Sequence, residues 1–123
     1  MQKESLESIK KILESLLMEE EILAAMVALN TGQNIFPDQK LLKIKSLGLW
    51  NTISVAVSDA FSIATKFSAA GFDKIYIELG EFEVIFFLIN PSSLLICVVP
   101  SLANKGLLEV EIENARRDLK QFF

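Results

Sequence analysis

The sequence predicts an α/β (α+β) chain folded as a three-layer α/β/α sandwich around a five-stranded antiparallel sheet, in the order α-β-β-α-β-β-β-α. Three observations lead there. Helical periodicity appears in three separated segments, three internal runs are apolar at successive positions, and short turn signals join the runs into hairpins. A strand apolar on both of its faces needs cover on both, so helices must lie above and below the sheet.

The first segment, Lys3 to Met18, spaces Leu6, Ile9, Leu13, Leu16 and Leu17 as one face of a helix, with Glu7 four before Lys11. "EILAAMVAL" then reads as a buried strand, and the polar knot Asn30-Thr31-Gly32-Gln33 reverses it into "NIF", too short to be anything but an edge. Pro37 to Gly48 is polar with scattered Leu and Ile and carries no clear periodicity. Leu49 to Ala70 predicts the second helix, stopped by Gly71. It is apolar over much of its circumference except for a stripe of small residues at Ser54, Ser58, Ser62 and Thr65. "KIYIEL" alternates, with Ile75, Ile77 and Leu79 on one face and Lys74, Tyr76 and Glu78 on the other. Gly80-Glu81 suits a two-residue hairpin turn into "FEVIFFLI", and Asn90-Pro91-Ser92-Ser93 turns that run into "LLICVV". Lys105 to Phe123 places Leu108, Ile112, Ala115, Leu119 and Phe122 along a third amphipathic helix, with Glu113 four before Arg117. The short second strand and the half-polar third strand suit the two sheet edges.

Composition narrows the function classes. A chain of 123 residues is expected to form a single domain over 1–123. Its hydrophobic fraction of 51% is slightly high for a soluble domain, which suggests apolar surface covered by another chain. Net charge is −4 with no block of Lys or Arg, so nucleic acid is not expected as a partner. No secretory pattern opens the sequence, and the longest apolar run is broken at Asn90-Pro91, so a cytoplasmic protein without membrane insertion is expected. Cys97 stands alone in an apolar run and reads as a core thiol.

With no histidine, Ser-His and Cys-His dyads and His-ligated metals are excluded. Glu19-Glu20-Glu21 lacks the interleaved spacing of a calcium loop and reads as a solvated helix end. Glu78, Glu81 and Glu83 surround a hairpin tip and read as exposed charges that keep an edge soluble. Arg116 and Arg117 read as helix-surface ion-pair positions rather than as an arginine finger. Lone glycines make no phosphate cradle. No catalytic residue, metal ligand or cofactor is therefore expected. Trp50 is either an interface anchor or a core residue. The serine stripe either faces water or lets another helix approach, and beside a free "KIYIEL" edge it suggests an interface.

A resemblance adds to this reading. "SAAGFDKIYIELGEFEVIFFLINPSSLLICVVPSLANKGLLEVEIENARRDL" resembles the second half of roadblock/LC7 domains, most closely over "ANKGLLEVEIENARRDL". The first helix with "ILAAMVALNTGQNIF" is similar to that family's first helix and hairpin, and "DQKLLKIKSLG" departs from its pattern. The resemblance, to the small single-domain prokaryotic form of the family, implies a roadblock/profilin-like fold. It also implies a dimer, with itself or with a paralogous roadblock chain, and a scaffold or regulator role towards a Ras-like small GTPase. The expected dimer interface is Lys74, Ile75, Tyr76, Ile77 and Glu78. The expected partner-facing helix residues are Trp50, Ser54, Ser58, Ser62 and Thr65. The alternative reading is a small-ligand-sensing module of profilin-like shape, with the ligand held between sheet and helix.

Overall fold

The computed structural model describes residues 2–45, 47–67 and 72–123. In chain order these form α1 (Lys3–Leu16), β1 (Ala24–Leu29), β2 (Asn34–Ile35), α2 (Leu47–Phe67), β3 (Lys74–Leu79), β4 (Phe82–Asn90), β5 (Ser93–Pro100) and α3 (Lys105–Leu119). All neighbouring strands are antiparallel, in the spatial order β2-β1-β5-β4-β3. The short strand and the half-polar strand are the two edges, as their sequences predict.

Alternation along the strands sorts the core into two layers. Ala25 and Val27 of β1, Leu95, Cys97 and Val99 of β5, and Ile85, Phe87 and Ile89 of β4 pack against α1 and α3. The intervening residues, including Met26, Val84, Phe86, Ile96 and Val98, pack on the opposite side with Ile53 and Ala60 of α2. This explains the continuous apolar runs Ala24–Leu29, Val84–Ile89 and Leu94–Val99 in the three central strands. Cys97 is fully buried, and burial pushes its thiol pKa up to about 12.

Two of the three predicted hairpin turns form on glycine; the third, at Asn90–Ser93, does not. Gly32 has φ 94° and Gly80 φ 64°, and no other described residue has positive φ. With Leu79 paired to Phe82 and Gly80 first in the two-residue loop, the turn matches the twist of the flanking strands.

Several boundaries differ from the sequence prediction. Helix α1 stops at Leu16 rather than Met18, where the Met18 and Glu19 N–H groups turn to the Ser15 and Leu16 carbonyls and Lys43 reaches back to the turn that follows. Its Nζ donates to the carbonyls of Leu17, Glu19 and Glu20 at 2.9, 2.7 and 3.1 Å. Those contacts tie down the turn that follows the helix, where the Glu19 carbonyl also accepts from the Ile22 N–H at 3.1 Å. Helix α2 begins at Leu47, two residues before the predicted start, and its predicted stop at Ala70 and Gly71 lies outside the described residues. Helix α3 ends at Leu119 and tightens into a 3₁₀ turn over Lys120–Phe122. The unassigned segment after Pro37 holds a 3₁₀ turn, Gln39–Leu41, capped by Asp38, whose Oδ1 accepts from the Lys40 N–H at 3.0 Å. Lys43 N–H then donates to the Leu23 carbonyl at 2.8 Å, which holds this segment against the start of β1.

Candidate functional site

Strand β3 leaves one side of its backbone open. The Leu88 N–H donates to the Asp73 carbonyl at 3.0 Å, so Lys74 and Phe87 form a non-hydrogen-bonded pair. By alternation, Asp73, Ile75, Ile77 and Leu79 bond towards β4, while the N–H and C=O of Lys74, Tyr76 and Glu78 point out of the sheet. These three residues form a ready template for a further strand.

The side chains of that edge are held by α3. The Tyr76 hydroxyl donates to Glu109 Oε1, and Lys74 Nζ sits 3.3 Å from Glu113. Partial burial, then the hydrogen bond to the Glu109 carboxylate, pushes the Tyr76 pKa up to about 12. Tyr76 nevertheless remains 45% exposed, so its ring is open to a neighbour.

Behind the edge lies an ion cluster that the sequence reading placed wrongly. Arg116 is buried, not a surface residue. Its Nη1 donates to Asp73 Oδ1 at 2.8 Å and to the Asp73 and Leu88 carbonyls at 3.1 and 3.2 Å. Its Nη2 donates to both Glu113 oxygens at 2.6 and 2.8 Å, and its guanidinium lies 5.2 Å from the Phe87 ring centre. Glu113 thus pairs with Arg116 at i,i+3, and not with Arg117 as the i,i+4 spacing predicts. Burial alone would raise the Glu113 pKa, but hydrogen bonds from Arg116 and Lys74 outweigh it and hold the carboxyl below its usual value. Arg117 is exposed. Glu83 needs the same correction: it is 2% exposed and ion-paired to Lys105 at the start of α3, whereas Glu78 and Glu81 are exposed as predicted. Periodicity could not separate Glu83 from its neighbours, because only the docking of α3 over the hairpin buries it.

The second feature is a groove of about 950 Å³ on the α2 side of the sheet. Met26 and Leu29 of β1, Asn34 and Phe36 beside β2, and Leu42 and Ile44 of the following segment form its floor and one wall. Trp50, Ile53, Ser54, Val57, Ser58 and Phe61 of α2 form the other wall. Trp50 is half-buried and meets Phe36 edge-on, with ring centres 6.2 Å apart and an interplanar angle of 84°. Thus Trp50 is neither a free anchor nor a sealed core residue.

The serine stripe is divided by this geometry. Ser54 and Ser58 face the groove, on the flank of α2 towards β1 and β2, and so away from the β3 edge. The Ser54 hydroxyl donates to the Trp50 carbonyl and the Thr65 hydroxyl to the Ser62 carbonyl, each at 3.0 Å. Among the described residues, Val55 and Ile63, exposed at 68% and 37%, are the large apolar side chains that α2 turns outward. The sequence reading missed them because it took the helix's excess of apolar residues as evidence of cover without separating its flanks. No group of three or more His, Cys, Asp or Glu among the described residues is arranged to hold a metal ion.

No family model matches the sequence, and no curated protein matches it. Solved structures do match the fold. Myxococcus xanthus MglB is 16% identical, with a TM-score of 0.76 over 100% of this chain and 92% of that one. An MglB with a tetrameric arrangement is likewise 16% identical, with a TM-score of 0.74 over 99% of this chain and 92% of that one. A roadblock/LC7 domain from Streptomyces avermitilis is 10% identical, with a TM-score of 0.66 over 92% of this chain and 95% of that one. With an open β3 edge, two helices on one face and one on the other, the chain has the roadblock/LC7 fold in the form seen in MglB.

Proposed function

We propose that this chain is a non-catalytic scaffold that dimerises through β3 and docks a Ras-like small GTPase, modulating its nucleotide cycle or location in the cytoplasm. Its dimer partner is a second copy or a paralogous roadblock chain. The observation that carries the reading is the open β3 edge on this fold. Centring a two-fold axis on Tyr76 pairs Lys74 with Glu78 of the second copy, Ile75 with Ile77, and Tyr76 with itself. That register bonds all three outward residues and sets opposite charges across the join twice. Centring on Ile75 or Ile77 instead would oppose Lys74 to Tyr76 or Tyr76 to Glu78 and lose both charge pairs.

Other features support the same reading. Val55 and Ile63 leave apolar surface on α2 for a partner. The chain has no histidine, and its one cysteine is sealed in the core, which supports binding rather than bond-making chemistry. An MglB solved in a tetrameric arrangement supports self-association on this fold. The small GTPase follows from the roadblock likeness.

Two measurements test the two halves separately. Tyr76→Pro removes an N–H that points out of the sheet, so it spares the β3–β4 ladder and leaves the monomer folded. The expected result is a folded monomer by light scattering; a stable Tyr76→Pro dimer would refute the β3 interface. Tagged chain is then used to capture partners from native lysate in GDP and in a non-hydrolysable GTP analogue. Enrichment of a small GTPase in one nucleotide state is expected, and its absence in both removes GTPase control.

A further inference from the structure

The groove between α2 and the β1–β2 hairpin follows from side-chain size. On the α2 side, β1 lines the groove with Met26 and Leu29, while α2 turns Ser54 and Ser58 towards it. Ser54 and Ser58 are too short to close the gap between helix and hairpin, although protein interiors otherwise pack closely. The segment after Pro37 walls the hollow with Leu42 and Ile44 instead of filling it. Its volume of about 950 Å³ falls within the range of roughly 300–1,000 Å³ typical of small-molecule sites.

Charge at the rim is one-sided. The chain carries 16 carboxylates against 12 Lys and Arg, yet the lining includes Lys40 and Lys45 and no Asp or Glu. Neither lysine is ion-paired among the described residues, and both are exposed. The side-chain amides of Asn30 and Asn34 complete a polar rim above an apolar floor. A neutral apolar ligand would leave those two cations unused, and a cationic one would be repelled.

We propose that this groove is a binding site for a small anionic amphiphile, such as a long-chain carboxylate. Its apolar body lies along Met26, Phe36, Trp50 and Val57, and its acidic head meets Lys40 and Lys45. The site opens towards the β2 side of the sheet, so it operates with the β3 edge paired or free and does not depend on the identity of the dimer's partner.

Trp50 is the chain's one tryptophan and lines the groove, so its emission reports occupancy directly. The full chain is titrated with dodecanoate below its micelle concentration, alongside dodecanol and dodecyltrimethylammonium. Dodecanoate is expected to shift Trp50 emission to the blue, saturate at one site per chain and raise the melting temperature. Dodecanol is expected to bind about tenfold more weakly, and the cation not at all. The exposed-site double variant Lys40→Gln/Lys45→Gln should bring dodecanoate down to the level of dodecanol. Ser58→Phe, which fills the groove from its rim, should abolish the binding of both. The proposal is overturned by equal binding of the three probes, by a carboxylate preference that survives loss of both lysines, or by a melting temperature that falls. A Trp50 shift that follows dimerisation and ignores dodecanoate would overturn it too, by giving the groove to a second copy.

Discussion

Reversing one charge on β3 tests the proposed dimer register most sharply. Glu78 is exposed, with its backbone groups on the open edge, so Glu78→Lys leaves the monomer's ladder untouched. In the register centred on Tyr76 it replaces two Lys–Glu pairs by two Lys–Lys pairs. Opposite charges facing each other across strands contribute about 0.2–1 kcal/mol each, and like charges cost a similar amount. Lys74 already lies 3.3 Å from Glu113, and the join is partly solvated, so values towards the middle of that range apply. Two pairs, each changing sign, then weaken the dimer by about 2 kcal/mol, or roughly 30-fold in Kd.

Sedimentation equilibrium over a concentration series reads that change. Lys74→Glu weakens its own homodimer in the same way, because the introduced carboxylate then faces Glu78 of the second copy. Mixing the two variants restores both attractive pairs, because each join then sets an ammonium against a carboxylate. The mixed dimer should therefore be tighter than either parent homodimer, and the gap should narrow at 1 M salt, where the screening length falls to about 3 Å. A Glu78→Lys homodimer as tight as the wild type would refute the register. So would a mixture no tighter than its parents, even if the β3 edge itself is the interface.

Other perturbations address the polar ties between α3 and the β3–β4 hairpin. Arg116→Ala removes a buried guanidinium, takes its donors from the Leu88 carbonyl and from the Asp73 and Glu113 carboxylates, and should cost about 2–4 kcal/mol in urea unfolding; a loss under 1 kcal/mol would show the cluster to be replaceable by water. Glu113 has its folded pKa below its unfolded one, so the stability it contributes is present above the ordinary carboxylate range and is lost as pH falls through the lowered value. Wild type should lose stability on acidification below about pH 4.5, and Glu113→Gln should flatten that slope. The Glu83–Lys105 pair should respond asymmetrically. Lys105→Ala strands a buried carboxylate and should destabilise the fold, while Glu83→Gln keeps the shape, frees only a partly exposed ammonium, and should cost less. Equal losses in the two variants would mean that water reaches Glu83.

What the sequence makes legible here depends on whether a property is periodic or made by contact. Uninterrupted apolarity over Val84–Ile89 and Leu94–Val99 demanded cover on both faces, and alternation in Lys74–Leu79 demanded an edge. Those demands suffice for layer order and strand order. Arg116, Glu83 and Lys43 escape such reading because each acts on a residue far along the chain. Arg116 reaches Asp73 and Leu88, Glu83 meets Lys105, and Lys43 reaches the end of α1. Their burial follows from docking, which no local pattern encodes. The serine stripe was visible as a pattern, but its direction was not, because a helix has two flanks and the chain gives no sign of which one meets β3.

The same distinction explains why the groove and the open edge fall on different parts of one fold. An edge survives in a folded sheet when its inward face is filled and its outward backbone is not, and Ile75, Ile77 and Leu79 fill the α2 side of β3. At the other edge the outermost strand is only two residues long, and a groove opens between the β1–β2 hairpin and the Ser54 and Ser58 flank of α2. One edge thus offers hydrogen bonds without a cavity, which suits another strand. The other offers a cavity with few free backbone groups, which suits a ligand that brings apolar volume. A roadblock fold built this way would separate the proposed β3 assembly from the proposed ligand site by the width of its sheet. Occupancy of the groove should then leave the β3 dimer affinity unchanged unless α2, which borders both, moves between them.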